Sequence, residues 1–119
     1  MKRLDKVDAY LKDYLALANL SKSYASLLRA LIENENQDGY IFVNSALKRI
    51  LSEKLDMAIG SIDNVITKLV ESEILIRVDR GMYIANKDIA NFRSIRKGQD
   101  IKIIISYSDN GRKIESIKQ

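Results

Sequence analysis

The chain has 119 residues, of which 46% are hydrophobic and 30% charged, and its formal net charge is +4. That length predicts one domain, and that balance predicts a single core under a charged surface. Cysteine and histidine are both absent, which excludes disulfides, thiolate or histidine metal sites, and serine–histidine or cysteine–histidine nucleophiles.

At the N-terminus, Leu4, Val7, Leu11, Tyr14 and Ala18 alternate steps of three and four. This is the spacing of a coiled-coil seam and predicts a helix from Leu4 to Ala18. A short helix is marginal alone in water, so this face must be covered, either by its own domain or by a second copy. Asn19 to Ser23 break the pattern, with Ser21 or Ser23 as N-cap for the next helix. Tyr24, Leu27, Leu28, Leu31 and Ile32 then form one apolar stripe. Residues 33–39 (ENENQDG) read as a polar loop closed by glycine, and Tyr40 to Val43 as a short strand able to pair with a later hairpin.

Asn44 is placed to cap a helix from Ser45 to about Lys54, which is expected to bury Ala46, Leu47, Ile50 and Leu51. Leu55 to Gly60 read as a turn with Met57 as its apolar plug. A second helix is predicted from Ser61 to Ser72. Its apolar residues Ile62, Val65, Ile66, Leu69 and Val70 recur at i, i+3, i+4, i+7 and i+8, a helical period. Ser61, Asp63, Asn64, Thr67 and Lys68 face away from that side. The pattern then switches to strand: Ile74, Leu75, Ile76 and Val78, then Met82, Tyr83 and Ile84. Arg80-Gly81 forms the tip, where glycine supplies the positive φ of a tight hairpin.

Asn86 or Asp88 is placed to start a short helical turn through Ile89 and Phe92, followed by the basic stretch Arg93 to Lys97. Ile101, Ile103, Ile105 and Tyr107 alternate as a strand, Asn110-Gly111 signals a hairpin, and Lys113 to Lys118 returns. This terminal hairpin is expected either to extend the first hairpin's sheet or to offer an apolar face to a partner chain. The predicted fold class is α+β, mainly α with a small antiparallel β wing: a winged helix-turn-helix with an extra N-terminal helix and a C-terminal β-hairpin. Residues 1–19 form the N-terminal helix, 20–87 the winged-helix domain, and 88–119 a basic segment and hairpin in the same compact unit.

In a winged helix that binds DNA, the second helix enters the major groove and the hairpin touches flanking backbone. Ser61, Asn64 and Thr67 are then the candidate base contacts, asparagine pairing with adenine and the hydroxyls being less selective. Lys68, Arg77 and Arg80 are the candidate phosphate contacts, with Arg93, Arg96 and Lys97 a second cluster. Asp63 repels phosphate unless it caps the helix or meets a cytosine amino group. Between Arg77 and Lys113 the chain holds nine basic and four acidic residues, the uneven field that phosphate binding requires. No glycine-rich phosphate loop or clustered acidic motif is present, so neither an enzyme nor a cofactor is expected. No apolar run approaches the roughly 20 residues of a membrane span, and no signal-peptide core opens the chain, so a cytoplasmic protein is expected.

Across Leu20 to Lys113 the sequence resembles the RepL-type replication and maintenance proteins of Gram-positive plasmids and phages. The resemblance is carried by Leu20-Ser21-Lys22-Ser23-Tyr24, Ser61-Ile62-Asp63-Asn64, Lys68-Leu69-Val70 and Arg80-Gly81-Met82-Tyr83-Ile84-Ala85-Asn86. Asp100-Ile101-Lys102, and Tyr107 followed by Asn110-Gly111-Arg112-Lys113, add to it. The chain departs from the family at Lys87, where members tend to carry proline, and in lacking a glycine-rich turn with tryptophan before the last hairpin. The resemblance implies a non-enzymatic, site-specific binder of double-stranded DNA that acts in replication and recruits host replication proteins; a homodimer is also expected. A transcriptional repressor of the same fold is the nearest alternative. A winged-helix module that joins protein complexes is the alternative of another class.

Overall fold

The structure, a computed structural model, describes residues 5–91 and 98–118. The first helix, α1 (Lys6–Leu17), starts where the Asp5 carboxylate accepts a hydrogen bond from the Asp8 amide at 3.1 Å. It ends where Asn19 turns left-handed (φ 63) and the Leu20 amide reaches back to the Leu15 carbonyl at 2.8 Å, a Schellman closure. Val7, Tyr10, Leu11, Tyr14 and Leu15 are buried, and α1 packs on α2 (Ala25–Glu33). Val7, Leu11 and Tyr14 of the seam read from the sequence are therefore covered within the chain, and Leu4 lies outside the described residues, so a homodimer needs a surface other than these positions. Arg29 of α2 adds a clamp, pairing with Asp5 at 2.9 Å and Glu33 at 3.1 Å.

Between these helices, Ser21 caps a 3-10 turn at Lys22–Tyr24. Strand β1 (Tyr40–Phe42) leads to α3 (Ser45–Leu55), and the Asn44 side chain caps α3 by accepting from the Leu47 amide at 2.8 Å. Only Leu51 of α3 is fully buried, with Leu47 and Leu55 half-buried beside it. The expectation for Ala46 and Ile50 is corrected: both are exposed, Ile50 to 60%. The buried side is the narrow row 47, 51, 55, and position 50 lies off that row.

The α3–α4 turn is shorter than the sequence suggested. Asp56 takes the left-handed conformation (φ 53), and the Met57 amide and carbonyl both bond to Ser52, the amide to its carbonyl and the carbonyl to its hydroxyl. Helix α4 then runs Ile59–Glu71, two residues earlier than predicted, with Gly60 inside its first turn. Its N-cap is Ala58, which has no capping side chain, so the start left no signature in the sequence. At the other end Glu73 is left-handed (φ 61), Ile74 bonds back to Leu69, and both of those apolar side chains are buried.

Strands β2 (Leu75–Asp79) and β3 (Met82–Ala85) form the predicted hairpin, and β1 pairs with β3 as its third strand, giving the order β1-β3-β2. Ile41, Tyr83, Arg77 and Leu75 share the face toward the helices. The core lies between that face and α1, α2 and α4, with Leu11, Leu15, Leu27, Leu28, Leu31, Ile41, Ile62 and Leu69 fully enclosed. Each such side chain contributes roughly 1.5–3 kcal/mol.

Asn86 caps the single turn α5 (Lys87–Ala90), accepting from the Ile89 amide at 2.7 Å. Strands β4 (Ile101–Ser108) and β5 (Gly111–Lys118) pair only with each other. The terminal hairpin thus does not extend the first sheet; Ile101, Ile103 and Ile114 pack on the core of their own chain. Its loop is Asp109-Asn110, neither at positive φ, and the left-handed residue is Gly111 (φ 118), one place later than an Asn-Gly tip requires. No described helix is long and apolar enough to cross a membrane.

Candidate nucleic-acid interface

Helix α4 presents Ser61, Asp63, Asn64, Thr67 and Lys68 to solvent. With Ile62, Val65, Ile66 and Leu69 buried, the helical period sets Asn64 and Thr67 directly outward. It sets Ser61 and Lys68 on one flank and Asp63 on the other.

The Asp63 flank lines a groove of about 680 Å³ between the start of α3, α4 and the β2–β3 hairpin. Thr67, Arg77 and Arg80 all line it, together with Asn44 and Lys48 of the β1–α3 corner. The structure therefore brings three of the sequence-derived residues to one concavity. Ser61, Asn64 and Lys68 stay on the open surface of α4, outside the groove lining. Arg93, Arg96 and Lys97 lie outside the described residues.

Electrostatics sort these side chains. The Lys48 ammonium meets the Asp63 carboxylate at 2.7 Å. This holds α3 against α4 and neutralises the one carboxylate in the groove; Asp63 neither caps the helix nor stands free. On the opposite flank, Lys68 is 3.8 Å from Glu71, a loose exposed pair. Among the described residues, Arg77 and Arg80 have no carboxylate within ion-pair distance, so their charges face the groove uncompensated. The Thr67 hydroxyl donates to the Asp63 carbonyl at 3.0 Å, which leaves its oxygen lone pairs outward as acceptors.

The hairpin is aimed by its own chemistry. A register shift between Arg77 and Asp79 bulges β2 at Val78, and such a bulge bends and twists a strand. The Asp79 carboxylate accepts from the Arg80 amide at 2.7 Å. Gly81 sits at φ +68, its carbonyl takes the Val43 amide at 2.8 Å, and an added Cβ would lie 3.0 Å from the Val43 carbonyl oxygen. The tip is thereby stitched to the strand that leads into α3.

Lys48 was missed by sequence reasoning, as was the corner formed by Asn44. The available signal was a lysine on the flank of the α3 apolar row with an aspartate early in the next helix, a pair that only the helix–helix crossing makes adjacent. No protein-family model, no curated protein and no solved structure matches this chain.

Proposed function

We propose that α2 to β3 form a winged helix that binds double-stranded DNA, with α4 in the major groove and β2–β3 as the wing. The observation that carries this reading is the groove in which Arg77 and Arg80, without carboxylate partners among the described residues, converge with Thr67 while Lys48 cancels Asp63. Arg77 and Arg80 hold backbone phosphates beside the helix, and Lys68 holds the strand on the opposite flank. Asn64 and Thr67 face base edges from the centre of the exposed side, and Ser61 does so from its edge. Ala58 leaves the first amides of α4 without a side-chain cap, and their partial positive charge adds to the phosphate field. In keeping with the RepL-type resemblance, the bound DNA is an origin or maintenance site of a plasmid or phage. The protein acts there without catalysis, in the cytoplasm, as a homodimer that recruits replication proteins.

The test is a salt titration of binding to duplex from the protein's own operon, with random duplex as competitor. Each phosphate neutralised contributes about −0.9 to the slope of log affinity against log salt. Specific binding is expected to exceed random duplex by roughly a thousandfold or more. Arg80→Gln is expected to make the slope shallower by about one unit at an unchanged sequence preference. Absence of binding at low salt would overturn the reading.

A further inference from the structure

Beyond Arg77 the trough between α4 and β2 continues into a second groove of about 870 Å³. Asp63, Ile66 and Thr67 of α4 line the first groove, and Val70 of α4 with its C-cap Ser72 lines the second; on β2, Arg77 is shared and Ile76 and Leu75 follow. The far end is closed by the terminal hairpin and α5.

The two grooves differ in chemistry. The first is floored by polar groups. The second has an apolar floor of Val70 and Ile114, both half-buried, and runs beside the β2 edge at Ile76. Around that floor stand four cations from three elements: Arg77 of β2, Lys87 of α5, and Arg112 and Lys113 of β5. Two carboxylates oppose them, Glu73 and Asp88. The Asp88 carboxylate already accepts from the Ser116 amide at 3.1 Å and the Tyr14 hydroxyl at 3.3 Å. Arg112 donates to the neutral Leu17 carbonyl, and no carboxylate among the described residues pairs with it. Lys113 pairs with Glu115 at 2.8 Å at the exposed rim.

A phosphodiester backbone offers only its sugar carbons to such a floor, whereas a peptide that alternates carboxylates with apolar side chains satisfies floor and rim together. We propose that this groove docks an acidic, apolar segment of a partner protein, its apolar side chains on Val70 and Ile114 and its carboxylates toward Lys87 and Lys113. The terminal hairpin and α5, additions to the wing unit, then build one wall of a protein-docking site. This inference does not depend on DNA binding, and its test uses protein free of DNA.

The experiment pans a displayed library of random peptides about a dozen residues long, the length of an extended docking segment, against the full chain. Lys87→Gln/Lys113→Gln protein serves as the counter-selection, and both proteins are first matched by thermal melting. Enriched peptides are expected to carry Asp or Glu flanking Leu, Ile, Val or Phe. Binding by fluorescence anisotropy should weaken about three- to tenfold on the double variant, the scale of two exposed charge pairs. It should also weaken as salt rises past about 0.1 M. Val70→Ser is expected to weaken it as well, through the floor, and amide shifts should centre on Val70 and Ile114. The proposal is overturned by no enrichment, by enriched peptides without acidic residues, by equal binding to the double variant, or by shifts confined to the Asn64–Thr67 face.

Discussion

Gly81 carries two constraints in one residue, a left-handed backbone and a carbonyl oxygen where a side chain would begin. Gly81→Ala must accept αL strain of about 1–2 kcal/mol and displace the Val43 carbonyl. Thermal or urea unfolding should therefore show a loss of about 1–3 kcal/mol, with weaker DNA binding because Arg80 is its neighbour. The Lys48–Asp63 pair makes an opposing case. Asp63→Asn removes the one carboxylate in the groove and frees Lys48, so duplex affinity is expected to rise about two- to fivefold, the scale of an exposed charge pair. Lys48→Gln, which uncovers Asp63, should lower it by a similar factor. The sequence shows Asp63 as a group on the exposed side of α4 that would repel phosphate. It cannot show the neutralisation, because residues 15 apart meet only once α3 and α4 have crossed. The outward face of Thr67 was legible because the helical period assigns it, and the place of Arg80 because Arg80-Gly81 marks the hairpin tip.

Elements that announce themselves by period or by cap were readable: α2 from its stripe, α3 from Asn44, the three-stranded sheet from its apolar runs and Arg80-Gly81. What failed to show was any boundary set by backbone geometry without a signature residue. Asp56 and Glu73 take left-handed positions usually given to glycine, Ala58 starts a helix without capping it, and Gly60, which looks like a breaker, sits inside α4. The docking of the terminal hairpin was equally hidden, since its polar contacts join residues far apart in the chain, with Asp88 at their centre. Asp88 accepts from Ser116 of β5 and Tyr14 of α1, and its carbonyl takes the Tyr10 and Ser116 hydroxyls. Asp88→Ala is expected to cost about 2–4 kcal/mol, two hydrogen bonds to a charged acceptor. Hydrogen exchange should speed up in β4–β5 while the β1-β3-β2 amides stay protected. Burial pushes the Tyr10 and Tyr14 phenols above their ordinary value. Folding thus favours the neutral phenols, and their contribution is complete below the unfolded value of about 10. It is lost as pH rises from there toward the raised folded values. Melting temperature should therefore fall above about pH 10, and Tyr10→Phe should fall less steeply from a lower starting stability.

At the scale of the molecule, α1 decides whether this chain is one folding unit or two. A dimer seam and an internal packing face predict opposite results for the same substitution. If Leu11 and its stripe served a second copy, replacing it would yield a folded monomer of undiminished stability. Leu11 is instead fully buried against its own chain, and Arg112 of the terminal hairpin bonds to the last turn of the same helix. Helix α1 therefore lies between the α2 core and the β4–β5 hairpin, and removing its packing loosens both. Leu11→Ala is expected to cost about 2–5 kcal/mol, the range for emptying an enclosed leucine site. That is a large part of the roughly 5–15 kcal/mol available to a domain. The loss should appear as one cooperative transition at lower temperature, read alike by far-ultraviolet circular dichroism and by tyrosine fluorescence. Sedimentation velocity at a temperature where the variant remains folded should give the wild-type value. A lighter particle with unchanged melting would place the seam between copies and overturn the assignment of α1 to the core.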